Sequence, residues 1–275
     1  MKPKISVLTC SNRPGGVDVT WYSLKRQTFR DFEWVFYDAL YEKRQKEVAG
    51  FTKHDPRVKH YKQSPKDPQA KTWLAHAENG AIKRAQGELI VFLQDFIYIQ
   101  PDALEKFWIQ YQSNGKHFVT GVGGQYDNPG VNDIADPDGT FTVFDKPFRD
   151  VPMNKVWQDP RQRTDLGSFY QCYPPDWEMN FCMCPKQMLY DIGGIDESYD
   201  FIGFAFDNCS VAERASMLGY IPFIDQTNES FSINSDAWSK SAAKTDENFI
   251  NIATHHANKM HQIRSGNNSV KLKYL

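Results

Sequence analysis

From residue 4 to about 112, short apolar runs alternate with segments whose apolar positions recur every three or four residues. That pattern predicts strands alternating with helices, and so a mainly parallel sheet covered by helices. Residues 4–9 (KISVLT), 32–37 (FEWVFY) and 58–61 are predicted strands, and 88–93 (ELIVFL) is a strand continuously apolar from Leu89 on, as expected for one buried on both faces. Residues 19–27 and 72–85 are predicted helices, the second stopped by Gly87. From 113 to 180 the pattern dissolves into Gly, Pro, Asp and aromatic residues, including Gly121–Gly124 and Pro129–Gly130, which predicts a long functional loop region. Order returns with a strand at 181–184, a helix from Pro185, a turn at 193–197, a helix near 207–218 and a strand at 220–224. The polar tail from 226 holds one predicted helix, 246–263.

Length and composition narrow the class. The 275 residues suffice for one large or two small domains, and 40% hydrophobic residues with 17 glycines give a soluble chain a sizeable core. Thirty-two Lys and Arg against 34 Asp and Glu leave a net charge of −2, so no global field draws the chain to nucleic acid or anionic membranes. The longest apolar run, Leu89 to Leu93, is far too short to cross a bilayer, and the opening residues do not read as a signal peptide. A cytoplasmic protein is expected. Its five cysteines, Cys10, Cys172, Cys182, Cys184 and Cys209, are odd in number and lack C-x-x-C spacing, which predicts reduced, mostly buried thiols.

Several short motifs follow one another in a telling order. The opening strand leads into Asn12-Arg13-Pro14. Ser23 to Thr28 is followed by Asp31-Phe32-Glu33-Trp34-Val35 and Asp38, then by Asn79-Gly80 and Ala85-Gln86-Gly87-Glu88-Leu89-Ile90. Pro101-Asp102-Ala103-Leu104, Gly193-Gly194-Ile195-Asp196-Glu197, and Phe206-Asp207 through Glu213-Arg214-Ala215 to Gly219-Tyr220 complete the series. Over 4–112 and 181–225 the chain resembles the family 2 glycosyltransferases of the GT-A fold. The resemblance implies an α/β, Rossmann-like, mainly parallel central sheet flanked by helices. It divides the chain into a GT-A domain, 1–225, and a C-terminal extension, 226–275. Residues 1–112 would form the nucleotide-sugar half, and 113–225 the acceptor-binding and catalytic half.

The same resemblance assigns roles. A nucleotide-sugar donor leaves as a diphosphate, whose developing charge needs a divalent cation or fixed positive groups. The family's acidic motif at the end of the fourth strand is Gln94-Asp95-Phe96 here, so Asp95 alone would be a carboxylate ligand for Mn2+ or Mg2+. Metal and donor would then arrive together, with Gln94 hydrogen-bonding the sugar or ribose; read without the family, Asp95 only caps a strand. Asp38 would read the base, as a uracil N3–H acceptor or else as a plain turn former. Thr9 and Arg13 would touch the nucleoside, and Lys71, like Lys66, the phosphates or only solvent. Asp207 would be the general base that takes the acceptor's proton, or the N-cap of its helix. His255 and His256 are metal candidates from the tail, with His261 a further histidine there. They lie about 100° apart on a helix, so at most one would face the site. Trp157, Phe169, Tyr170, Tyr173 and Trp177, interleaved with Arg149, Lys155, Arg161 and Arg163, would recognise the acceptor or fill a core.

The expected activity is metal-dependent, inverting transfer of a sugar from a nucleotide-sugar, a UDP-sugar first, to a hydroxyl on a glycan, lipid-linked glycan or modified nucleic acid. The alternatives are a nucleotidyltransferase, or a sugar- or nucleotide-binding protein without catalysis.

Overall fold

The structure, a computed structural model, describes residues 2–13, 15–127, 154–203, 205–233 and 246–275. Arg149 and Pro129–Gly130 lie outside the described residues. The first half follows the predicted alternation: β1 (Ile5–Ser11), α1 (Val17–Leu24), β2 (Phe32–Asp38), α2 (Tyr41–Thr52), β3 (Val58–Lys62), α3 (Leu74–Arg84) and β4 (Leu89–Leu93). β5 (Ile97–Ile99) and α4 (Ala103–Ser113) complete it. Then come β6 (His117–Asp127), β7 (Asn154–Gln158), β8 (Phe169–Gln171), β9 (Phe181–Pro185), α5 (Lys186–Asp191) and α6 (Tyr199–Ile202). The chain closes with α7 (Asp207–Met217), β10 (Ile221–Ile233) and α8 (Asp246–Arg264).

All the described strands join one sheet in the order β3-β2-β1-β4-β9-β6-β10-β5, with β7 on β6 and β8 on β10. β3, β2, β1 and β4 run parallel, and antiparallel β9 joins β4 to β6, itself parallel to β10. Alternation along each strand feeds two cores. Ile5, Val7, Trp34, Phe36 and Val91 meet α1, α2 and α4 on one face; Leu8, Val35, Tyr37, Ile90 and Phe92 meet α3, α5 and α7 on the other.

Three expectations change. The glycines of 121–124 are not loop: they sit in the middle of β6, where a side chain on Gly121 would strike the Asn228 carbonyl and the Phe181 ring. The sheet does not stop at 225, because β10 continues to Ile233, so part of the presumed extension is central sheet. Gly87 does not end α3, which has already turned extended at Ala85; it is needed because a Cβ there would lie 2.5 Å from the Ser6 nitrogen on β1. Among the described residues, no helix is long and apolar enough to cross a membrane.

Candidate active site

The carboxyl ends of β1 and β4 lie side by side, and the loops leaving them form a charged network. Ser11 Oγ donates to Asp95 at 2.7 Å, and Arg13 reaches the other Asp95 oxygen through Nε at 3.0 Å and through a terminal nitrogen at 2.5 Å. Phe96, which follows Asp95, is in the left-handed region at φ +62° and is 1% exposed. Its ring lies under Arg13 at 4.7 Å and fills the space beside Gly16, where a Cβ would come within 2.2 Å of it. Phe96 is thus an apolar anchor between Arg13 and Gly16.

Asp38 and Thr9, expected at the nucleoside, are both engaged within the fold. Asp38 is fully buried and its four acceptor directions are filled: Arg44 donates to both oxygens at 2.6 and 2.8 Å, the Leu40 N–H to one at 2.7 Å, and His60 Nε2 sits 2.9 Å from the other. Burial pushes its pKa up, but the His60 and Arg44 hydrogen bonds and the Arg44 charge outweigh it, and the carboxyl stays below its ordinary range. Arg44, itself fully buried, also donates to Ser11 Oγ at 2.9 Å and so ties Asp38 to Asp95 through one hydroxyl. The Thr9 hydroxyl, fully buried, accepts from Trp34 Nε1 and donates to the Leu93 carbonyl, clamping β1 between β2 and β4. The side chain of Lys71 is exposed.

Gln94 lines a neighbouring cleft with Trp157, Asp159, Arg161, Glu178 and Asn180. Arg161 bridges Asp159 and Glu178, and Trp157 stays 44% exposed, while Trp177 is wholly in the core and Tyr173 stands 79% exposed.

Asp207 opens α7 at the same sheet edge. The N-cap position falls on Phe206, with no side-chain cap, so Asp207 is the first helical residue and not the cap. Ala205 and Phe206 both carry positive φ, +152° and +64°, strain of the kind that collects at functional sites, about 1–3 kcal/mol each. Burial raises the Asp207 pKa, the N–H groups of Asn208 and Asp207 oppose it, and the negative charge of Asp200 adds to it; the shift is upward. That offsets the lowering expected at a helix N-terminus.

Asn79 and Arg214 lock the Gly193–Glu197 turn beside this helix. Asn79 exchanges hydrogen bonds with the Ile195 backbone at 2.8 and 2.9 Å, and Arg214, fully buried, donates to the Ile192 and Gly194 carbonyls. The two glycines have φ of +70° and +93°, and the chain end crosses them so closely that a Cβ on Gly193 would meet the Leu272 carbonyl.

The tail histidines, expected as metal candidates, meet protein groups in the structure. His256 sits 2.8 Å from the Tyr199 hydroxyl and 3.1 Å from Glu213, stacks on Phe206, and His255 approaches Ser198 Oγ at 3.2 Å. His255 thus meets the start of α6 and His256 meets α6 and α7, which docks α8; burial lowers the His255 pKa. Among the described residues, no group of three or more His, Cys, Asp or Glu is placed to hold a metal. With Asp95 paired to Arg13, the donor set among the described residues does not fit a resident divalent ion.

Neither a family model nor a curated protein matches the sequence. Among solved structures, the crystal structure of GalNAc-T7 with UDP, GalNAc and Mn2+ matches with a TM-score of 0.59 at 13% identity, over 84% of this chain and 44% of that one. This chain thus spans under half the length of that protein. The fold is the α/β fold of the GT-A glycosyltransferases.

Proposed function

We propose that this protein is an inverting glycosyltransferase, which moves a sugar from a nucleotide-sugar, a UDP-sugar first, to a hydroxyl acceptor. The observation that carries the reading is Asp207: a half-buried carboxylate with a raised pKa, held behind a strained turn at the sheet edge where open α/β folds bind ligands. A general base works best when its pKa lies close to the working pH, and burial moves Asp207 that way.

In this reading Asp207 takes the proton of the acceptor hydroxyl as that oxygen attacks the anomeric carbon from the face opposite the diphosphate. The carbon–oxygen bond to the diphosphate breaks, and its electron pair leaves with the nucleotide. Arg13, with 17% of its side chain exposed, is the fixed positive group at this edge that would meet the departing diphosphate. The cleft of Trp157, Arg161 and Gln94 gives the acceptor an aromatic platform flanked by polar groups.

The test is UDP release from UDP-GalNAc and UDP-glucose by the wild type and by Asp207→Asn. Release by the wild type and its loss in the variant support the reading; a fully active, normally folded variant removes Asp207 as base. Binding without transfer is the second reading, favoured by the Arg13–Asp95 pair, and turnover of any nucleotide-sugar dismisses it.

A further inference from the structure

Of the five aromatic residues that could meet an acceptor, four are engaged elsewhere or stand apart. Trp177 lies in the core, Phe169 stacks on Phe223 with ring centroids 4.6 Å apart, the Tyr170 hydroxyl donates to the Arg161 carbonyl at 2.6 Å, and Tyr173 does not line the cleft. Trp157 does line it, and its side chain stays 44% exposed. The cleft opens at the end of β4, where Gln94 precedes Asp95, between β6, β7, β9 and β10. A run of contacts forms its polar side: the Gln94 N–H donates to the Asn180 carbonyl at 3.1 Å, the Asn180 amide to Glu178 Oε2 at 3.0 Å, and Arg161 to the same oxygen at 3.2 Å. Glu178 Oε1, Asn180 Oδ1 and the side-chain amide of Gln94 keep their hydrogen-bonding capacity unused among the described residues.

The charge of this cleft disfavours a phosphate. Among the lining residues Arg161 is the one cation, against Asp159 and Glu178. All three of its guanidinium nitrogens already donate to the protein, Nε and Nη2 to Asp159 at 2.9 and 2.5 Å and Nη1 to the Asp176 carbonyl at 2.7 Å. Arg163 pairs with Asp165 at 2.6 Å, and neither it nor Lys155 lines the cleft. Nucleic-acid strands are held chiefly by Lys and Arg on their phosphates, which this wall does not offer. An apolar ring beside free amide and carboxylate groups instead complements a sugar, whose C–H face is apolar and whose hydroxyls donate and accept. A cavity volume of about 100 Å3, well under the several hundred that enclose a drug-sized ligand, takes part of one ring and leaves the rest in the open.

We propose that the acceptor is an uncharged glycan, one ring of which enters this cleft with its C–H face on Trp157 and its hydroxyls on Gln94, Glu178 and Asn180. That the bound glycan is an acceptor rests on the glycosyltransferase reading above; that the cleft binds sugar does not.

Saturation-transfer NMR on the full chain, with maltose, cellobiose, lactose, N,N′-diacetylchitobiose and a single-stranded thymidine octanucleotide as probes, separates the outcomes. At least one disaccharide should receive saturation, strongest on one ring, and the octanucleotide none. Trp157→Ala should raise the apparent Kd of that sugar by about tenfold, and Asn180→Ala by roughly three- to tenfold, the scale of one lost hydrogen bond. Melting temperature checks that each variant is folded, and should Trp157→Ala fail to fold, Asn180→Ala, altered at an exposed side chain, answers alone. No saturation of any disaccharide, or sugar binding that the folded variants leave intact, overturns the inference. Octanucleotide binding that is lost in Trp157→Ala overturns it in favour of a nucleic-acid acceptor. UDP release from UDP-GalNAc or UDP-glucose by the wild type judges the transferase reading separately. Release without sugar binding leaves that reading standing and this inference overturned, whereas sugar binding with no release from either donor overturns the acceptor role and keeps the sugar site.

Discussion

Three aspartates carry the same charge into different roles, and their surroundings decide which. Asp38 is saturated by Arg44, His60 and a backbone N–H, so it holds the fold. Replacing it with alanine leaves Arg44 buried without its partner, and urea unfolding should register a loss of about 3–5 kcal/mol. Asp95, also buried, is shared between Ser11 and Arg13 in the same network. Asp207 is the least satisfied of the three: in Asp207→Asn the side chain keeps its size but cannot take a proton, so transfer should fall by roughly 10²–10⁴-fold. The melting temperature should not drop, because the variant removes a carboxyl whose pKa burial raises. A variant that melts several degrees lower would mean a structural aspartate.

At the scale of elements, two contacts hold the site in shape. The 11–16 loop is pinned to the turn after β4 by Phe96 against Gly16, where φ is +74° and a Cβ would lie 2.2 Å from the ring. Gly16→Ala should therefore weaken nucleotide binding and lower the melting point together, and thermal shift with and without UDP reads both. The helix α8 is docked on α6 and α7 by His256 and on the Gly193–Glu197 turn by the Lys259–Asp196 ion pair, while Tyr274, beyond the helix, also donates to Asp196. His256→Ala should cost about 1–2 kcal/mol through its lost bonds to Tyr199 and Glu213. It should leave any response to Mn2+ unchanged, and a change in that response would return the histidine to the metal. Glu213, held below its ordinary value first by the His256 hydrogen bond, contributes stability that is present at neutral pH and lost as pH falls through its lowered pKa.

For the molecule as a whole, Mn2+ alone should not raise the melting temperature, since a ligand stabilises only as far as it binds the folded state and no resident site is assembled among the described residues. A rise with the ion alone would show a site that the donor set does not suggest. Much of the architecture is legible in the sequence: apolar runs place β1, β2, β3, β4 and β9, and three-to-four spacing places α1, because burial of side chains on a sheet or helix face imposes those patterns. Helix α2 escapes that reading because its inward stripe is Arg44, Val48 and Thr52, where a buried charge breaks the apolar pattern. The stripe that runs Arg44 into Val48 is nevertheless the signal that was there to find. β6 escapes because glycines, read as turns, are required by the close passage of β10. The sequence by itself determined the alternation of strand and helix that opens the chain, the acid at the end of β4 and the acid that opens α7, since local pattern and spacing carry that information. Only the tertiary structure decided that Asp38 belongs to Arg44, Asp95 to Arg13 and the tail histidines to α6 and α7, because a carboxylate or imidazole is claimed by whatever partner the packing brings within hydrogen-bond reach.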